Sequence, residues 1–270
     1  MMYSKAQAME RTKLGSDGDR KDFFYYLLNA KDPETGRGFS KDELWGESNL
    51  FIIAGSDTTS TALAGAFFYL VHNPAALKKA AAEVRHTFNS VEEITHGSEL
   101  TSCVFLRACI DEAMRMSPPV AGALPRKVLP GGFTVDGHVI PEGIDVCVPH
   151  YAIHHNPEYF PLPFNYTPER WLKDAAPADM AFRADLAHSA FCPFSVGPRG
   201  CIGKGLAYVE LTITLAQVLW QFDLRLAPGT SVGEGRADLE EGRRRAMEYQ
   251  LKDTFTSIKD GPLVQFKRRE

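Results

Sequence analysis

This sequence predicts a mainly α-helical domain carrying small β-sheets. Three observations carry the prediction. Ser40-Lys41-Asp42-Glu43 forms a capping box, and it opens an apolar run that continues to about His72. A second helical pattern spans about 101–116 and stops before Pro118-Pro119, because the residue ahead of a proline is pushed out of the α region. Between 133 and 148 the pattern changes to short stretches broken by Asp136-Gly137 and Pro141-Glu142-Gly143, which are turn residues.

The remaining elements follow in chain order. Residues 1–20 are polar and charged and predict a disordered start, so the folded part is 21–270. Phe23, Phe24, Leu27 and Leu28 mark a short amphipathic helix over 21–31. Residues 32–38, with Pro33 and two glycines, read as a loop. Asn73-Pro74 ends the long helix and starts another that reaches about Phe88. Strands are predicted at 133–135 and 138–140, joined as a hairpin, and at 145–148. Residues 155–185 are proline-rich and irregular. A helix runs from about Ile202 to Trp220. The glycine-rich, charged stretch 228–243 reads as a mobile loop. A strand pair is expected from Glu248 to Phe266 around Lys259-Asp260-Gly261-Pro262. No internal repeat is evident.

Composition narrows the function. At 270 residues, 44% hydrophobic and 24% charged, the chain is ordinary globular material. A net charge of −4 argues against nucleic acid as a partner. The five cysteines (103, 109, 147, 192 and 201) contain no C-x-x-C pair. Zinc, iron–sulfur and disulfide frameworks are therefore disfavoured, and reducing conditions fit. The start shows neither signal peptide nor anchor helix.

Cys201 lies in Phe194-Ser195-Val196-Gly197-Pro198-Arg199-Gly200-Cys201-Ile202-Gly203, just ahead of a helical pattern. A thiolate there meets amide N–H groups and the positive end of a helix dipole. The glycines permit a tight turn and close approach to a flat partner, and Arg199 adds a permanent cation. A buried structural cysteine is the plain alternative. A phosphate loop is excluded, because Leu206-Ala207 follow Gly205 where Lys and Ser/Thr are required.

Three further clusters stand out. Residues 51–71 are long enough to span a bilayer, yet Asp57 sits among Ser56, Thr58, Thr59, Ser60 and Thr61, which is costly in lipid. That leaves a buried core helix or a polar cluster facing a reaction site. Gly55 lets a ligand approach the backbone there, and an acid beside a hydroxyl can relay protons into a dry pocket. Glu112 and Arg115 are i,i+3 neighbours on one helix face. His150, His154 and His155 invite a metal reading, but the proline-rich loop after them offers no helical i,i+4 pair.

One thiolate without companion ligands suits haem iron. The stretch 194–203 resembles the cysteine loop of the cytochrome P-450 haem-thiolate monooxygenases, F-x-x-G-x-R-x-C-x-G, at every defined position. Ala54-Gly55-x-Asp57-Thr58-Thr59 resembles that family's oxygen-activation motif. Glu112-x-x-Arg115 followed by Pro168-Glu169-Arg170-Trp171 resembles its E-x-x-R and P-E-R-[FW] pair. The resemblance implies the C-terminal half of the P-450 fold: long central helix, E-x-x-R helix, β hairpins, cysteine loop and following helix. It implies haem b bound through Cys201 as axial iron ligand, with Phe194, Gly203, Arg199 and Arg126 around the cofactor and both arginines on its propionates. Asp57 and Thr58 would deliver protons. Ala54, Gly55, Val120 and Ala123 would line the pocket of a small lipophilic substrate. Glu112, Arg115 and Arg170 would be structural.

Electrons would come from NADPH through a cytochrome reductase docking near Arg199 and Lys204. The full-length parent would sit on the cytosolic face of the endoplasmic reticulum, touching the membrane only through an N-terminal part missing here. Two readings stay open: a monooxygenase, or a truncated fragment unable to hold haem or turn over alone.

Overall fold

The computed structural model describes residues 2–13, 21–172 and 184–269. It divides into two compact units, Met1–Asp57 and Thr58–Glu270.

In the first unit, α1 (Met2–Lys13) and α2 (Phe23–Asn29) precede the opening turns of α3 (Lys41–His72). Helix α1 stands where the disordered start was expected; residues 14–20 lie outside the described residues. Arg11 and Lys13 in the last turn of α1 complement its dipole. Arg11 also grips Asp22 at 2.9 and 3.1 Å, while Asp22 caps α2 by accepting the Tyr25 N–H. The box that opens α3 is reciprocal: Ser40 Oγ accepts the Glu43 amide at 3.3 Å, and Glu43 Oε2 accepts the Ser40 amide at 2.7 Å.

The second unit takes the rest of α3, then α4 (Pro74–Thr87), α5 (Ser98–Ser102), α6 (Val104–Met116), α7 (His150–His154), α8 (Ala184–Ala190) and α9 (Lys204–Gln221). The single helix expected over 101–116 is two helices. The break at Cys103 is fixed by Glu83 of α4, whose carboxylate accepts the amides of Phe105 and Leu106 at 2.9 and 2.8 Å. An acid from a neighbouring helix thus satisfies N–H groups that α6 leaves open. Helix α7 was not expected, and residues 173–183 of the proline-rich stretch lie outside the described residues.

Three two-stranded antiparallel sheets complete the unit: β1 (Arg126–Lys127) with β4 (Asp145–Val146), β2 (Phe133–Val135) with β3 (His138–Ile140), and β5 (Phe222–Leu226) with β6 (Val264–Arg268). Asp136 and Gly137, at φ 49° and 77°, close the β2–β3 hairpin in the left-handed conformation its twist demands. The strand pair expected around 259–262 is not formed as such. β6 pairs instead with β5, whose Phe222, Leu224 and Leu226 alternate with exposed Asp223 and Arg225. Ahead of the turn only the bridge between Lys252 and Ile258 remains.

The core lies between the C-terminal part of α3 and helices α4, α6 and α9, and is built on Phe68, Leu70, Leu106, Ile110, Leu211 and Leu215. Helix α6 is buried on nearly every side, so its charged residues must find partners inside the protein. Among the described residues, no helix is long and apolar enough to cross a membrane.

Candidate functional site

The loop before α9 is folded tightly on its own backbone. Phe194 accepts the Cys201 amide at 2.8 Å, Gly197 accepts that of Gly200 at 2.9 Å, and Cys192 accepts that of Ser195 at 2.9 Å. Ser195 and Gly197 both take positive φ, 58° and 69°, a conformation glycine adopts freely and serine at some cost. A single 3-10 turn over Gly197–Arg199 follows. These constraints present Cys201 outward: its side chain is exposed, and the neighbouring Ile202 is 99% exposed. Fully exposed isoleucine beside an exposed thiol marks a face shaped for an apolar partner.

Arg199 is exposed and has no partner among the described residues. Arg126, at the start of β1, reaches only the carbonyls of Leu124 and Pro125, at 3.3 and 2.9 Å. Within the cysteine loop, the exposed thiol, the Arg199 guanidinium and apolar Ile202 fit a haem: sulfur for iron, a guanidinium fork for a propionate, an apolar side chain for the ring.

Glu112, Arg115 and Arg170 meet in the core, each fully excluded from solvent. Arg115 takes the carboxylate with both prongs at 2.9 Å, and Arg170 Nε adds a third contact at 2.9 Å. Two donors escaped the sequence reading. The Trp171 indole N–H donates to Glu112 Oε2 at 3.0 Å, and the Thr167 amide to Oε1 at 3.0 Å. The tryptophan was visible as the fourth residue of Pro168-Glu169-Arg170-Trp171, but nothing in its spacing announced an indole donor. Arg115 spends its other N–H groups on the carbonyls of His154, Pro163 and Asn165. Burial drives the Glu112 carboxyl up and the two guanidinium groups drive it down; the cations prevail, leaving it below its ordinary value.

The residues read as pocket-lining or proton-delivering belong to both units. Ala54, Gly55 and Asp57 are exposed on α3 in the first unit, and Thr58 opens the second unit. Val120 is half-buried and its carbonyl takes the His150 Nδ1–H at 2.9 Å; Ala123 is exposed. A Cβ on Gly122 would collide with the Asp253 carboxylate, and Pro119 accepts the Ser257 amide at 2.8 Å. The 119–124 segment is therefore held against a loop tip that carries Phe255, exposed and at φ 77°. Sequence reading missed Phe255 because a lone phenylalanine in a polar tail gives no periodic signal.

His150, His154 and His155 form no metal cluster; none exists among the described residues. His154 is buried and accepts the Cys192 amide at 3.0 Å. Burial first, then His150, Arg115 and His155, lowers its pKa to about 3. Burial and Arg115 lower that of His155 to about 4.

Comparison with known proteins agrees with this geometry. A family model described as Cytochrome P450 matches residues 2–236. A cytochrome P450 monooxygenase from Gibberella zeae is 50% identical over 254 residues, covering 93% of this chain and 57% of that protein. Cytochrome P450 monooxygenase AKT7 from Alternaria alternata is 45% identical, covering 97% of this chain and 51% of its own length. The crystal structure of a cytochrome P450 (CYP102L1) superposes on all of this chain and 56% of its own, with a TM-score of 0.78 and 26% identity. The chain thus spans about half the length of the curated relatives it matches. With the family model matched over residues 2–236 and relatives at 45–50% identity along more than nine-tenths of the sequence, the chain belongs to the cytochrome P450 family.

Proposed function

We propose that this chain supplies the cysteine-ligand half of a haem-thiolate monooxygenase acting on a small lipophilic molecule. The observation that carries this reading is the exposed thiol of Cys201, whose backbone amide is held by the Phe194 carbonyl, with Arg199 exposed in the same loop and unpaired among the described residues. Haem, when bound, supplies the oxygen chemistry.

The chain's own residues do the rest. Cys201 holds the iron, and Arg126 and Arg199 hold the propionates. Thr58 and Asp57 keep and pass protons at their hydroxyl and carboxylate. Consecutive helix positions point about 100° apart, so that transfer needs a bridging water. Val120, Ala123 and Phe255 exclude water from the substrate. Arg199 and Lys204 leave a basic face for an electron-donating, NADPH-dependent reductase. Asp57→Asn is expected to slow turnover about 100-fold or more while haem uptake stays unchanged, as general acid–base groups contribute about 10²–10⁴-fold. Stopped-flow oxygen consumption against haem titration checks it; lost haem contradicts the proton role.

A second reading is favoured by one observation. Leu50, Phe51, Ile52 and Ile53 on successive positions of α3 are all exposed, although the Phe51 ring meets Phe23 at 5.6 Å, so that helix stretch leaves much apolar surface in water. This suits a chain that needs a further polypeptide before it holds haem or turns over. One experiment separates the two: the carbon-monoxide difference spectrum of the reduced, haem-reconstituted chain. A red-shifted, thiolate-type Soret band supports the first reading. Absence of haem uptake supports the second.

A further inference from the structure

A polar triad beside the cysteine loop has no part in the function above. Arg107 and Asp111 stand on α6 and Tyr208 on α9. The Tyr208 phenol donates to Asp111 Oδ1 at 2.8 Å, and Arg107 Nε donates to Oδ2 at 3.0 Å. The Arg107 guanidinium also lies over the Tyr208 ring, 3.4 Å from its centre. The Tyr208 ring also meets Phe194, centroid to centroid 5.0 Å. Phe194 is the residue whose carbonyl takes the Cys201 amide. A continuous line of contacts therefore runs Arg107–Asp111–Tyr208–Phe194–Cys201.

The Tyr208 ring packs on the edge of the core but is only half-buried. Tyr208, Arg107 and Asp111 line a cavity of about 1020 Å³ that also borders Lys204 and Gly205 in the first turn of α9. A ring with open space beside it can swing unless its tip is tied down. The tie is the hydroxyl bond to Asp111, a nearly buried carboxylate clamped from its other oxygen by Arg107. Charge-assisted bonds of this kind are roughly twice as strong as neutral ones.

We propose that Tyr208 is a positioning residue for Cys201, fixing the Phe194 ring and through it the backbone that presents the thiol. The functional meaning rests on the reading of Cys201 as the iron ligand; the bracing belongs to the chain alone. Two readouts separate them. The first is hydrogen exchange at the Cys201 amide in the ligand-free chain, for wild type, Tyr208→Phe, Asp111→Asn and the double variant. Each single variant is expected to exchange about tenfold faster there, the loss of one hydrogen bond to a charged group. The double variant adds little, since both act through one network. Amides of Leu215 and Leu219, in the buried part of α9, stay unchanged. The second readout is the reduction potential of the haem-loaded chain, which Tyr208→Phe shifts.

Unchanged Cys201 exchange in both single variants overturns the proposal. Equal acceleration at Leu215 also overturns it, since that means general loosening. Where no variant takes up haem, the exchange data alone decide. Where exchange responds but Cys201→Ala leaves the haem spectrum unaltered, the ligand reading falls and the bracing stands.

Discussion

Glu112→Gln is expected to destabilise the fold by about 3–5 kcal/mol, the usual cost of removing one partner from a buried ion pair. Two guanidinium groups, Arg115 and Arg170, lose the carboxylate that bonds both of them in a region closed to solvent. The new amide also turns an N–H₂ toward donors, because both carboxylate oxygens accept from Arg115 and one further accepts from Trp171. With domain stabilities of about 5–15 kcal/mol, such a loss brings the chain close to unfolding. A urea titration measures it, and a Tm fall of roughly 10 °C should accompany it. Arg236→Ala, which removes an exposed pair with Asp238, serves as the control and should change little. A Glu112→Gln midpoint equal to wild type would show that the cluster contributes no stability.

The pH dependence has a definite sign. His154 and His155 are held neutral, with folded values near 3 and 4, against about 6.5 when unfolded. Below about 6.5 the unfolded chain binds protons that the folded chain refuses, so stability falls as pH drops from there. Glu112 enters later. Its folded value is depressed, so its contribution is full above the ordinary carboxylate value of about 4.3 and is lost as pH falls through the folded one. Glu112→Gln should therefore flatten the acid limb below about pH 4 and leave the histidine limb intact.

What the sequence could reveal depended on whether the cause was local. The capping box at Ser40, the break at Asn73-Pro74 and the Asp136-Gly137 turn are written within four residues, and the fold follows each. The break at Cys103 is not, because Glu83 acts from another helix on the amide of Phe105, 22 residues further on. The pairing of β6 with β5 is likewise remote: a strand chooses its partner by the face it can bury, and nothing near Val264 names Phe222. Among candidate site residues, Glu112, Arg115 and Arg170 were legible through the resemblance of Glu112-x-x-Arg115 and Pro168-Glu169-Arg170-Trp171 to a pair of family motifs, since the i,i+3 spacing alone does not name Arg170 as the partner. Phe255 and Tyr208 were not, since their neighbours come from segments far away in the chain. Asp57 and Thr58 were recognised by type and order alone, through the resemblance of Ala54-Gly55-x-Asp57-Thr58-Thr59 to a family motif.

Cys201→Ala should separate chemistry from stability. The side chain is exposed, and the bond that shapes the loop uses the backbone amide, which alanine keeps. Substitution at such a surface position is worth no more than about 0.5 kcal/mol, so urea unfolding should be indistinguishable from wild type. Thiolate ligation should nevertheless vanish completely, because the other cysteine of this loop, Cys192, is half-buried and burial pushes its thiol up, away from the thiolate form. Cys103 and Cys109 are buried, and burial pushes both thiols up, away from the thiolate form that binds metal. Cys147 is the other exposed thiol and gives the control: Cys147→Ala should keep any thiolate-type Soret band that wild type shows. Haem held in the Cys201→Ala chain by Arg126 and Arg199 would show neutral ligation on reduction and carbon monoxide binding. A thiolate-type band surviving in Cys201→Ala would move the iron to another cysteine and overturn the assignment; an altered unfolding curve would mean that the thiol side chain also supports the loop.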